Sequence, residues 1–230
     1  MKEFKDFDAY EAIPGNIERV HNRIAVACEK GHREFNSVRL IAVTKNSPSK
    51  VMRLAYQCGI HDFGENRVQE AGPKFKEIYD IRSLIRLHFI GHLQGNKVKD
   101  ALEISDVIHS IDSLKLAQAI NQHAARKVSC FIQVNVAEEK TKYGFFKEEL
   151  GTAVRNIGAL PNIELIGLMT IAPLTGSPEE VRPVFAKLKE LNRGYGFKEL
   201  SMGMTDDYEI AIEEGSTMVR IGRAIFGERS

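Results

Sequence analysis

Short apolar runs recur along the chain, each followed by a turn and then by an amphipathic stretch. The apolar runs predict strands in "VRLIAVT" from Val38, "HDFGEN" from His61, "LHFIGHL" from Leu87 and "VIHSID" from Val107. Four more are predicted in "CFIQVNV" from Cys130, "IELIGLM" from Ile163, "KELSMGM" from Lys198 and "TMVRIGRAIFG" from Thr217. Between them, Val181, Val184, Phe185, Leu188 and Leu191 recur at helical spacing, as do Leu116, Ala117, Ile120 and Ala124. Ile17, Val20, Ile24 and Cys28 mark a helix ahead of the first strand. Strands alternating with helices imply a parallel sheet with right-handed crossovers. Eight such units in roughly 190 residues predict a closed (β/α)8 TIM barrel, shorter than the typical ~250 residues. An open doubly wound sheet is the alternative. Against it, no G-x-G-x-x-G follows the first strand, and the last strand is as apolar as the middle ones. The expected organisation is one domain, a helical extension over 1–37 leading into a barrel over 38–230.

Strands covered on both faces should read as near-continuous apolar runs. Several here carry polar residues. Alternation puts Lys45 on one face with Ile41 and Val43, His88 and His92 with Ile90, Gln133 with Asn135, and Arg220 with Met218 and Gly222. Each has a bland explanation as a paired or hydrogen-bonded core group. Together, polar groups near the C-terminal ends of many strands match the place where barrel enzymes assemble their sites.

Composition narrows the classes of function. With 32 basic against 31 acidic residues, no strong field points to nucleic acid or a membrane surface. The opening "MKEFKDFDAY" lacks the apolar core of a signal peptide, and no run reaches membrane-spanning length. Cys28, Cys58 and Cys130 form neither a disulfide framework nor a zinc pattern, which suits a reducing cytoplasm. A metal site through His88 and His92 lacks a clear carboxylate or cysteine partner.

The seventh and eighth units carry the most specific chemistry. "ELSMGMTDD" offers Ser201, Gly203 and Thr205 around a turn, and in "MVRIGRAIFG" Gly222 precedes a helix start. Glycines let a backbone approach an anion closely, and barrel phosphate sites are built after these two strands. A lysine at the end of the first strand, facing such a cradle, suggests a ligand with both an aldehyde and a phosphate. Pyridoxal 5′-phosphate (PLP) is that molecule. A partly desolvated pocket with a nearby cation, such as Arg220, favours the neutral amine that condensation needs. Arg220 could instead face the pyridine nitrogen, which a permanent guanidinium keeps unprotonated.

"AVTKNSP", "FGENRVQEAGPK", "HFIGHLQGNK", "IHSIDSLKLA", "IQVNVAEEKTKYGF", "GLMTIAP", "LSMGMTDD" and "GSTMVRIGRAIFGER" occur in this order. In them the chain resembles the PLP homeostasis protein family, itself similar to the N-terminal barrel domain of alanine racemase. The resemblance runs from about Val38 to Glu228. It implies that Lys45 forms a Schiff base with PLP and that Asn66 lies beside the cofactor ring. It implies too that Ser201, Gly222 and Arg223 hold the phosphate, that Arg220 faces the pyridine nitrogen, and that His88 and Met169 line the barrel mouth. Arg223 stands where the family often has threonine, and Thr205 where serine is commoner.

Alanine racemase has a further C-terminal β domain that supplies a tyrosine base from the partner subunit. This sequence runs a few residues past its last predicted strand, to Ser230, and none of its six tyrosines is placed as that base. The resemblance therefore implies a cytoplasmic, monomeric carrier or buffer of PLP acting in vitamin B6 homeostasis, with PLP-dependent apo-enzymes as recipients and no catalytic residue. A PLP-dependent racemase or related weak enzyme is the alternative. An interaction protein whose partners read its PLP state, through "AEEKTKYGFFKEE", is a third.

Overall fold

A computed structural model describes residues 2–139, 141–173 and 177–227. Lys140 of the fifth-unit loop and the last residues of the eighth motif lie outside them. Helix α1 (Lys2–Lys30) opens the chain, followed by β1 (Arg39–Val43), α2 (Ser49–Gln57), β2 (Asp62–Glu65) and α3 (Val68–Glu77). Next come β3 (Arg86–Phe89), α4 (Val98–Ile104), β4 (Val107–Ile111), α5 (Leu114–His123) and β5 (Val128–Gln133). The chain continues through α6 (Leu150–Gly158), β6 (Ile163–Met169), α7 (Arg182–Gly194), β7 (Glu199–Ser201), α8 (Tyr208–Glu213), β8 (Met218–Ile221) and α9 (Arg223–Phe226). The strands pair in parallel in sequence order, and β8 closes on β1 with Ile41 opposite Arg220.

Each predicted strand segment contains a strand, so the closed barrel is the fold. The eighth segment divides into β8 and α9, because at Gly222 the chain leaves the sheet and turns into a helix. The fifth begins earlier, at Val128, and stops at Gln133.

Side-chain alternation builds two layers. Outward residues such as Leu40, Ala42, Phe63 and Leu87 pack under the helices, in one of the two large apolar clusters that surround the barrel. Helix α1 belongs to this layer: Ile13, Ile17, Val20, Ile24 and Cys28 fall on one stripe and are buried. It is tied to the last helices, since Asn16 Nδ2 donates to the Ile225 carbonyl and Arg23 pairs with Glu209. The opening helix thus covers the seam where β8 meets β1.

The interior layer is small. Ile41, Val107, Phe131, Met169 and Met218 form its apolar part. The remainder is polar, with His88, His109, Ser201 and Arg220 all buried. Barrel interiors are ordinarily filled by branched apolar side chains, so this polar column needs a reason.

Candidate functional site

The first strand ends in a fixed turn. Thr44 continues β1 outward, its N–H donating to Gly64 O and its hydroxyl to Glu65 Oε1 at 2.7 Å. Behind this point Lys74, on α3, donates to the Thr44 carbonyl and to Glu65 Oε1, both at 2.7 Å. Lys45 comes next on the inward face. Asn46 then takes a left-handed backbone (φ 55°), which asparagine tolerates, and its N–H donates to Glu70 Oε2. The buried Lys74–Glu65 pair brackets two site positions, because Glu65 precedes Asn66 as Thr44 precedes Lys45.

Asn66 is set by a close approach of two backbones. A Cβ at Gly91 would lie 2.2 Å from the Asn66 carbonyl oxygen, so only glycine fits there. Asn66 Oδ1 is buried with no hydrogen-bond partner among the described residues.

At the far side, β8 carries Arg220 inward with 4% of its surface exposed. Nη1 donates to Ser201 Oγ at 2.5 Å and Nη2 to the Thr170 carbonyl at 2.9 Å. Burial lowers its pKa to about 10, opposed by the charge of Asp207, so the guanidinium remains a cation at neutral pH. The β7–α8 turn needs Gly203, at φ 93° and with its Cβ position 2.6 Å from Ala211 Cβ. Met204 N–H donates to Asp207 Oδ1, and burial raises the pKa of that carboxyl. Arg223 pairs with Asp206 across the mouth of this turn.

These elements surround a cavity of about 570 Å3 at the C-terminal end of the barrel. Lys45, Asn66, Arg220, Gly222 and Arg223 line it, so five of the residues expected at the site come together. Val43, Ile90 and Ile171 form apolar walls, and Met204, Thr205 and Asp206 complete the β7 side. The lining holds three cationic side chains, Lys45, Arg220 and Arg223, against one carboxylate, Asp206. The volume lies within the ~300–1,000 Å3 usual for small-molecule sites, and the charge balance suits an anion.

Ser201 does not line the cavity. Its side chain is fully buried beneath Arg220, with its hydroxyl 2.9 Å from His109 Nδ1. Thr205, the other hydroxyl of this turn, lines the cavity. The turn that Gly203 permits carries the chain outward after β7, so the first hydroxyl of "LSMGMT" faces the barrel interior and the second reaches the cavity.

His88 and Met169 do not line the mouth either. Both are fully buried. His88 and His92 do not converge: His88 lies between Asp62 and His109, whereas His92 bonds Asp112 and stacks on Tyr143 at 3.8 Å. Among the described residues no group of three metal-ligating side chains forms. Gln133 and Asn135 organise the loop after β5 instead of the site: Gln133 donates to Tyr143 O, and Asn135 binds the backbone of Glu139. His109 is a further polar residue of the interior, signalled by its alternation with Val107, and Asp62 meets His88 from the N-terminal end of β2.

The family model described as alanine racemase, N-terminal domain, matches residues 16–230. The pyridoxal phosphate homeostasis protein of Aquifex aeolicus is 43% identical over 222 residues, covering 93% of this chain and 96% of the relative. That of Pseudomonas aeruginosa is 40% identical over 222 residues, covering 94% and 96%. A solved structure of PipY from Synechococcus elongatus, with PLP bound, is 36% identical with a TM-score of 0.77, covering 83% of this chain and 93% of that one.

Proposed function

The chain belongs to the pyridoxal phosphate homeostasis protein family, and we propose that it holds PLP in the cavity beside Lys45 as a carrier or buffer of the cofactor, without robust catalysis. One observation carries this reading: a primary amine, a buried guanidinium and a glycine turn share one cation-rich cavity. The donor set fits the ligand. PLP supplies an aldehyde that condenses with a primary amine, and Lys45 would hold it through a reversible Schiff-base linkage.

The chain's other residues orient and retain. Arg220 would present its guanidinium to the ring nitrogen as a donor that cannot take up a proton. Thr205 and the backbone at Gly222, with Arg223, would hold the phosphate. Asn66 would flank the ring, its unpaired Oδ1 offering an acceptor to the ligand's hydroxyl. Ser201, placed under Arg220, would act through that guanidinium.

Racemisation would need two acid–base groups, one on each face of the substrate carbon. Lys45 could serve on one face once a substrate amine displaces it. The lining carboxylate, Asp206, is paired with Arg223, which favours carriage over turnover. The reading takes the chain as a cytoplasmic monomer that passes PLP to apo-enzymes. Three free cysteines suit a reducing compartment, and no described helix is long and apolar enough to cross a membrane.

The test is to load the protein with PLP, remove free cofactor and add a PLP-dependent apo-enzyme. Recovery of that enzyme's activity, with no racemisation of added amino acids by the loaded protein alone, is expected. Rapid racemisation that Lys45→Ala abolishes would overturn the carrier reading.

A further inference from the structure

The polar column inside the barrel is continuous. Starting from the cavity, Arg220 Nη1 meets Ser201 Oγ at 2.5 Å, and Ser201 Oγ meets His109 Nδ1 at 2.9 Å. His109 Nε2 meets His88 Nδ1 at 2.8 Å, and His88 Nε2 meets Asp62 Oδ1 at 2.8 Å. Asp62 lies at the N-terminal end of β2, where Arg39 faces it at 3.6 Å. Five residues on β8, β7, β4, β3 and β2 therefore connect the cavity to the opposite end of the barrel. His88, His109 and Ser201 are fully buried.

Proton counting gives this chain a direction. A guanidinium can only donate, so Ser201 Oγ accepts from Arg220 and has its own hydrogen to give. The acceptor within reach is His109 Nδ1, so His109 carries its proton on Nε2. That proton goes to His88 Nδ1, which places the His88 proton on Nε2, facing the Asp62 carboxylate. Every donor then has an acceptor. The reverse order needs an imidazolium at His88 or a protonated Asp62, and it leaves the Ser201 hydrogen without an acceptor. A buried charge and an unmade hydrogen bond are both costly.

We propose that Ser201, His109, His88 and Asp62 form a one-way hydrogen-bonded relay that fixes the guanidinium of Arg220 at the cavity floor, and that His109 and Asp62 are positioning residues for it. One N–H of each Nη is engaged, at Nη1 by this relay and at Nη2 by the Thr170 carbonyl, so the plane of the guanidinium is set from below while further N–H groups remain. Each link presents its acceptor toward Arg220 and its hydrogen toward Asp62. The aligned dipoles thus convey the influence of the Asp62 carboxylate through an apolar interior, where linked hydrogen bonds polarise one another. Phe131 stacks on His109, with centroids 4.4 Å apart and planes at 27°, which holds the ring in register.

The groups around the two imidazoles agree with neutral rings. His88 faces Asp62 from β2, Arg39 from β1 and Arg86 from its own strand, and burial lowers its pKa. His109 faces His88, Arg220 and Arg39, and burial lowers its pKa further.

The relay's influence on PLP rests on the cofactor reading above, but the relay itself is tested on the protein alone. Imidazole 15N spectra of the ligand-free protein should show His88 and His109 as neutral Nε2–H tautomers from pH ~5.5 to ~8. In Asp62→Ala the His109 signals should shift although residue 62 does not touch His109; Asp62→Asn, which keeps an acceptor oxygen, should restore the wild-type tautomers. A Nδ1–H tautomer at either ring, or a His109 signal indifferent to Asp62→Ala, overturns the relay. With PLP, Ser201→Ala should weaken binding about tenfold and move the bound absorbance band, and Ser201→Thr should restore both. Ser201→Ala binding as wild type does would overturn the positioning role. No binding by the wild type would instead overturn the cofactor reading and leave the 15N spectra to decide the relay.

Discussion

The ammonium of Lys74 lies 2.7 Å from the carbonyl oxygen of Thr44, the residue that precedes Lys45. It also pairs with Glu65, the residue that precedes Asn66. One buried ion pair behind the sheet therefore holds two neighbouring strand ends whose next residues line the cavity. Removing one partner leaves a buried charge uncompensated, at a cost of about 3–5 kcal/mol. Lys74→Met should lower stability by about that amount in urea unfolding. Adding Glu65→Gln should return part of the loss, because the two sites are coupled.

Gly91→Ala tests the seating of Asn66. The new methyl group would lie 2.2 Å from the Asn66 carbonyl oxygen, so the backbone at Asn66 must move. Stability should fall by about 1–3 kcal/mol, as for other overpacked sites. The affinity for PLP should fall more than it does in Gly95→Ala, where the added carbon meets nothing within 4 Å. Equal affinities in the two variants would remove Asn66 from the site.

Thr205 and Ser201 separate two roles for hydroxyl groups in one turn. If Thr205 holds the phosphate, Thr205→Val should raise the Kd for PLP by about tenfold or more, the worth of a hydrogen bond to a charged group. Binding of pyridoxal, which lacks the phosphate, should be unchanged. An equal loss for both ligands would place Thr205 elsewhere in the mechanism of binding.

The barrel was legible because eight apolar runs alternate with amphipathic ones, a pattern that local physics imposes on parallel strands and their covering helices. Lys45 and Arg220 were legible as charges on faces that should be apolar, and each lines the cavity. What alternation could not supply was depth along a strand. His88 and Ser201 point inward and are fully buried away from the cavity, because depth depends on the register between neighbouring strands, which alternation within one strand does not give. The irregular register between Ile108 and Ile111 is a case in point. There Ile111 joins the outer core while His109 stays inside. Gln133 and Asn135 were misleading for a related reason, since the strand stops at Gln133 and gives way to a loop that uses their amides.

Acid should destabilise the fold through its buried imidazoles. Burial lowers the pKa of His88 and His109 from the ordinary value of 6.5, and lowers that of His21 as well. The unfolded chain takes up protons near that value which the native state refuses, so native stability is full above it and declines as pH falls below it. Each fully refused proton contributes a slope of about 1.4 kcal/mol per pH unit. Urea midpoints should therefore drop between pH ~7 and ~5, and His88→Gln should make the drop shallower. An unchanged slope in that variant would mean that His88 titrates alike in both states.

If Lys45 holds the cofactor, the linkage can be trapped there. The protein is incubated with PLP, reduced with borohydride, digested and mapped by mass spectrometry. One modified site, Lys45, is expected, with loss of the modification and of the visible band in Lys45→Ala. Modification spread over surface lysines, or a band that survives in Lys45→Ala, would contradict it.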